Sequence, residues 1–134
     1  MSDVASQNRL NVRVYYEDTD ASGVVYHANY LKYFERGRTE WLSDAGYDHR
    51  QLAESQGLGF TLARLRIDYR RPARLDDRLC VVTSIADHGR ARIDFDQRVF
   101  CGEHELVTAS ARVACIELTE FKPQALPADL IQGV

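Results

Sequence analysis

The chain has 134 residues, 45% of them hydrophobic and 28% charged, and carries a formal net charge of −3. That length suits one domain with a real core, and the composition excludes disordered, collagen-like and disulfide-scaffold classes. The slight acidity argues against nucleic acid as a partner, and no apolar stretch nears the roughly 18 residues of a transmembrane segment.

In chain order, the first several residues read as a frayed tail. Residues 10–16 (LNVRVYY) alternate Val12 and Val14 against Arg13 and Tyr15, the period of a strand. Residues 17–23 (EDTDASG) are polar and turn-like. Over residues 26–45 the period switches: Tyr30, Phe34, Gly37, Trp41 and Ala45 recur at steps of four and three. This predicts a helix of about five turns with one apolar stripe. Gly37 within that stripe points to close approach of another backbone, and Gly46 is a C-terminal stop. Residues 48–56 suggest a short helix before Gly57 and Gly59.

From there the period is two. Ala63, Leu65, Ile67 and Tyr69 alternate with Arg64, Arg66, Asp68 and Arg70, ending near Pro72. Residues 79–86 form an apolar run. Two further alternating stretches carry Ile93 to Val99 and Val107 to Cys115, and Pro123 and Pro127 mark an irregular tail. Short turns between consecutive strands want antiparallel pairing. The fold class is therefore α+β: one domain, residues 1–134 with a core about 10–120 and a tail 121–134, in which a bent antiparallel sheet wraps one long helix. Long strands with open edges favour dimerisation.

Three widely spaced cysteines (Cys80, Cys101, Cys115) and an N-terminus without an apolar signal region make a disulfide framework unexpected and a cytoplasmic setting expected. The four histidines make no zinc-type spacing, so no metal is expected. The basic residues are almost all arginine, whose planar fork suits phosphate, so a small phosphate-bearing ligand stays open.

The chemically informative stretch is residues 16–29, YEDTDASGVVYHAN. Carboxylates before a helix often only cap it. Asp20, however, precedes the helix by too many residues to be its cap, and Gly23 with Val24 and Val25 could fold it back over a partly dry helix end. A carboxylate beside free helix N–H groups is a usable pair of tools: the N–H groups polarise a carbonyl oxygen, and the carboxylate attacks the carbon or deprotonates a water that does. Ser22 near His27 lacks the third member of a nucleophilic triad.

The run Asp18-Thr-Asp20-Ala-Ser-Gly23-Val-Val-Tyr26-His27-Ala-Asn29-Tyr30, continuing to Phe34-Glu35 and Arg38, closely resembles the signature of 4-hydroxybenzoyl-CoA-type thioesterases. Within them it looks most like the tol-pal-associated acyl-CoA thioesterases. The resemblance covers about residues 10–128. It implies the hotdog fold, an acyl-CoA substrate, no cofactor, and a homodimer or homotetramer; acyl carrier protein stays open as a partner.

By position, the resemblance makes Asp20 the catalytic carboxylate and has the backbone N–H of His27 hold the thioester oxygen. The His27 imidazole itself is expected to be partly buried and hydrogen-bonded. Gly23 permits a tight loop, while Tyr26 and Asn29 shape the pocket and brace the loop. Glu35 and Arg38 are expected to form a structural ion pair or network. Arg90 and Arg92, in the turn between two later strands, are candidates for the coenzyme A phosphates; Arg70, Arg71 and Arg74 are a second set. Partial burial would help Asp20 by raising its pKa. The competing readings are a hotdog hydratase or dehydratase, and an acyl-carrier-protein-binding or envelope-synthesis interaction protein with weak catalysis.

Overall fold

The computed structural model describes residues 7–131; the frayed tail expected over residues 1–6 lies outside them, as do residues 132–134. Strand β1 (Asn8–Arg13) opens the fold. A 3-10 turn (Tyr16–Asp18) follows, and a second (His27–Asn29) runs into helix α1 (Tyr30–Asp44). A short helix α2 (His49–Gln56) then leads to β2 (Leu58–Tyr69), β3 (Arg78–His88), β4 (Arg92–Cys101), β5 (His104–Glu117) and β6 (Lys122–Pro123). The strands form one antiparallel sheet in the order β1-β3-β4-β5-β2, with β6 added to β5. Register shifts at Leu62/Arg64, Ile85/Asp87 and Val99/Phe100 break the ladders. Such bulges bend strands and add twist, which lets the sheet curl about a helix.

Alternation decides the faces. Along β4 the even burial of Ile93, Phe95, Gln97 and Val99 turns these side chains inward. The helix buries Tyr30, Tyr33, Phe34, Gly37, Trp41 and Leu42. Two apolar clusters result. Tyr30, Tyr33 and Phe34 pack with Val14, Val25, Ala73, Leu79, Val81 and Val107. Trp41 and Leu42 pack with Leu52, Leu58, Ile93, Phe95, Val113 and Leu130. Burial of Leu130 shows that the chain after β6 closes this second cluster, and the N–H of Leu126 bonds to the carbonyl of Arg90 on the way.

Several elements differ locally from their expected bounds. The first strand ends at Arg13, not Tyr16: the N–H of Val14 bonds to the carbonyl of Asp77, and Tyr15 caps the following 3-10 turn. The α-helix starts at Tyr30 because His27–Asn29 is wound more tightly. The neighbours of Gly37 are side chains, not another backbone: a Cβ there would stand 2.6 Å from Thr83 Oγ1 and 3.1 Å from Gln97 Nε2. Gly46 does end α1 at a φ of 94°, and Asp48 caps α2 by accepting from the N–H of Gln51. Strand β2 begins five residues before Ala63, directly after Gly57 turns the chain with a φ of 67°.

Candidate active site

The segment between the two 3-10 turns is a small hairpin. The N–H of Gly23 bonds to the carbonyl of Asp20 (3.0 Å), and the N–H of Asp20 bonds to the carbonyl of Val24 (2.9 Å). Gly23 closes this turn at a φ of 84°, a conformation that costs a residue with a Cβ. The base of the hairpin is tied twice. The N–H of Tyr26 bonds to the carbonyl of Asp18, and the N–H of Val25 to the carbonyl of the fully buried Ala73. A bridge between Val24 and Arg74 continues the second tie.

Hydroxyl groups lock this hairpin to the helix. Tyr33 donates to Asp18 Oδ2 at 3.0 Å, and the same oxygen takes the N–H of Tyr15 at 2.9 Å. Burial, then the neighbouring Asp18 carboxylate, hold the Tyr33 hydroxyl well above the ordinary tyrosine pKa, so it stays a donor. The hydroxyl of Tyr30 accepts the N–H of Ala73 (3.1 Å), and Tyr69 donates to the carbonyl of His27 (2.9 Å). Asn29 is buried beside the Tyr33 hydroxyl. Asp18, Tyr33, Tyr69 and Ala73 were not singled out from the sequence. A hint was present, since a buried tyrosine needs a partner for its hydroxyl and two tyrosines sit in or beside the helical stripe.

At the helix entry, the first bond of the turn runs from the N–H of Asn29 to the carbonyl of Tyr26. The N–H groups of His27 and Ala28 stand ahead of it and have no carbonyl to meet within the turn. They offer donors at the positive end of the helix dipole.

Asp20 itself is exposed. Its Oδ1 accepts from the hydroxyl (2.7 Å) and the N–H (2.9 Å) of Ser22. These bonds, the hydroxyl's first, hold its pKa below the ordinary aspartate value. The expected upward shift from burial is therefore reversed in the single chain: hydrogen bonds to the charged form outweigh desolvation. The His27 imidazole is also exposed, not partly buried, with ring centroids 4.5 Å from Tyr26 and 6.5 Å from Tyr69. Tyr26 lies half-exposed beside it.

The fold sets the surroundings of two groups of charged residues. Arg38 is held by Gln97 Oε1 at 3.0 Å, and Glu35, which is exposed, acts on it only through its field. Arg92 donates to Asp94 Oδ2 at 2.6 Å and lies 3.5 Å from Asp87, while Arg90 is exposed. Within one chain neither arginine shares the Asp20 end of the sheet. Arg92 pairs with Ala114 on β5 and Tyr69 with Val107, positions separated by roughly 20 Å of strand. The second arginine set is at the Asp20 end: Arg74 bridges to Val24, and Arg71 Nη1 lies 2.9 Å from His104 Nδ1.

Comparison with known proteins bears on this geometry. The family model for the thioesterase-like superfamily matches residues 14–134. The acyl-CoA thioesterase YbgC of Haemophilus influenzae is 47% identical over 119 residues, which cover 89% of this chain and 88% of that protein. The acyl-CoA thioester hydrolase YbgC of Escherichia coli O6:H1 is 40% identical over 124 residues, covering 92% of each. The crystal structure of a probable thioesterase from Bartonella henselae matches with a TM-score of 0.86 and 43% identity, covering 90% of this chain and 99% of that one.

Proposed function

Because the chain belongs to the thioesterase-like superfamily, we propose that it is an acyl-CoA thioester hydrolase, releasing a free acid and coenzyme A. The observation that carries the reading is the hairpin of Asp20, tied at its base to the turn whose leading N–H groups precede its first hydrogen bond. A thioester is less resonance-stabilised than an ester, and a thiolate leaves readily. Catalysis therefore asks for an activated attacker and a stabilised oxygen more than for a strong acid. The His27 N–H takes the developing charge on the thioester oxygen. The Asp20 carboxylate, kept ionised by Ser22, either attacks the carbonyl carbon, giving a mixed anhydride that water then hydrolyses to the free acid, or takes a proton from a water that attacks directly. The sulfur leaves with the bonding pair and is protonated to the thiol. No cofactor enters this scheme. The activity belongs in the cytoplasm, where acyl-CoA thioesters are made and used.

The exposure of Asp20 fits a site completed by a second copy. Strand β2 lies at one end of the strand order, its outer edge unpaired among the described residues. Leu62 and Tyr69 on it, and Leu31 on the adjoining helix, are between 42% and 49% exposed. Two β2 edges joined antiparallel about a two-fold axis extend the sheet and cover these groups. That pairing brings Arg90 of one subunit to the same end of the joined sheet as Asp20 of the other, where it can meet coenzyme A phosphates, with Gly23, Tyr26 and Asn29 lining the acyl side. A tetramer would pair two such dimers.

The test is thiol release across short, long and aromatic acyl-CoAs, with Asp20→Asn as control. Turnover by the parent and its near loss in the variant support the reading. Full activity of Asp20→Asn removes the residue from the mechanism. Absent turnover together with capture of acyl carrier protein by Asp20→Ala would favour an interaction protein, and hydration without thiol release would favour a hydratase.

A further inference from the structure

One of the hydroxyl locks bears on the donor end of the site itself. Tyr69, the last residue of β2, donates to the carbonyl of His27, and its ring stands edge-on to those of His27 (6.5 Å) and Tyr30 (5.6 Å). That carbonyl belongs to the peptide group whose N–H is Ala28's. A hydrogen bond accepted at a peptide oxygen draws electron density toward it and makes the N–H on the same peptide a stronger donor. It also fixes the plane of the peptide, and with it the direction of the N–H. The N–H of Ala28 is one of the two groups ahead of the turn's first bond.

We propose that Tyr69 is a positioning residue for thioester hydrolysis: by holding and polarising the His27–Ala28 peptide, it sets the Ala28 N–H as a second donor to the thioester oxygen, beside that of His27. The inference rests on the hydrolase reading above and adds to it a residue from the strand that follows the helices. Desolvation raises the pKa of Tyr69, so its hydroxyl remains a proton donor through and beyond neutral pH. The ring packs independently of the hydroxyl, which makes the two contributions separable.

Tyr69→Phe removes the hydroxyl and keeps the ring. Removing a direct oxyanion donor costs ~10²–10³ in kcat, and an effect relayed through one peptide is expected at about tenfold, with KM within twofold and Tm unchanged. In the amide NMR spectrum the Ala28 proton moves upfield, a change that packing alone does not produce. With Asp20→Asn holding intact acyl-CoA, the thioester carbonyl stretch shifts less on binding when Tyr69→Phe is added. An unchanged kcat, a loss confined to KM or to Tm, or an Ala28 resonance that does not move overturns the inference. Failure of the hydrolase reading looks different. It is marked by a parent without thioesterase turnover or by a fully active Asp20→Asn, and the Ala28 resonance still judges Tyr69 in that case.

Discussion

Helix α1 meets polar partners at its entry and again at its middle, and the two meetings are built on opposite terms. At the middle, between the two apolar clusters, Gln97 is fully buried. It donates through Nε2 to the Phe34 carbonyl and to Thr83 Oγ1, each at 2.9 Å, and accepts from Arg38 through Oε1. At the entry, hydroxyl groups pin the backbone but leave the His27 and Ala28 N–H groups outside the helical ladder, at residues that are themselves exposed. An unsatisfied polar group is costly where water cannot reach it and cheap where it can. On the proposed reading, the satisfied knot serves folding and the donors at the entry serve binding. A substitution in one should move stability and in the other turnover.

The largest test of that division is at Asp20. Asp20→Asn is expected to lower thiol release by roughly 10²–10⁴-fold while Tm stays that of the parent; a loss of Tm to match would break the contrast. At the knot the outcome inverts. Gln97→Leu takes the partner from the Arg38 guanidinium and from the fully buried Thr83 hydroxyl, and is expected to cost about 2–3 kcal/mol in urea unfolding. Gly37→Ala gains up to ~1 kcal/mol of helix propensity but forces a methyl against Thr83, itself fully buried, for a net loss of roughly 1–2 kcal/mol. Unchanged unfolding midpoints would show that the close approach at Gly37 is relieved by small shifts.

The smallest effect sharpens the entry. Ser22→Ala deletes the bond that does most to lower the Asp20 pKa. The carboxylate then takes up its proton at a higher pH, so the acidic limb of kcat/KM moves upward from its position in the parent. A limb that stays in place would mean that the Ser22 hydroxyl does not hold the charge during catalysis.

The helices, the long strands and the wrapped-helix arrangement were legible because burial repeats at 3.6 and at 2 residues regardless of what the partner strand is. The turn at Gly23 was legible because a local turn uses neighbouring residues. Contacts made across the fold were not. Asp18 sits two residues before Asp20 and has the same chemistry, yet Tyr33 and the N–H of Tyr15 hold it as a brace. Arg38 has Glu35 three residues away on its own helix, but its hydrogen bond goes to Gln97, which β4 brings from 59 residues away. Arg90 and Arg92 are placed by the β3–β4 register, which puts them at the end of the sheet remote from Asp20 in the same chain.

What the amino-acid order determined by itself is each element's period, its stops at Gly46 and Gly57, and the turn at Gly23, since these depend on the conformational freedom and burial of neighbouring residues. Only the tertiary structure decided which polar groups are paired and which stay open. A hydrogen bond depends on where two groups meet in space, and the curl of the sheet brings Tyr69, Ala73 and Gln97 to a helix far from them along the chain.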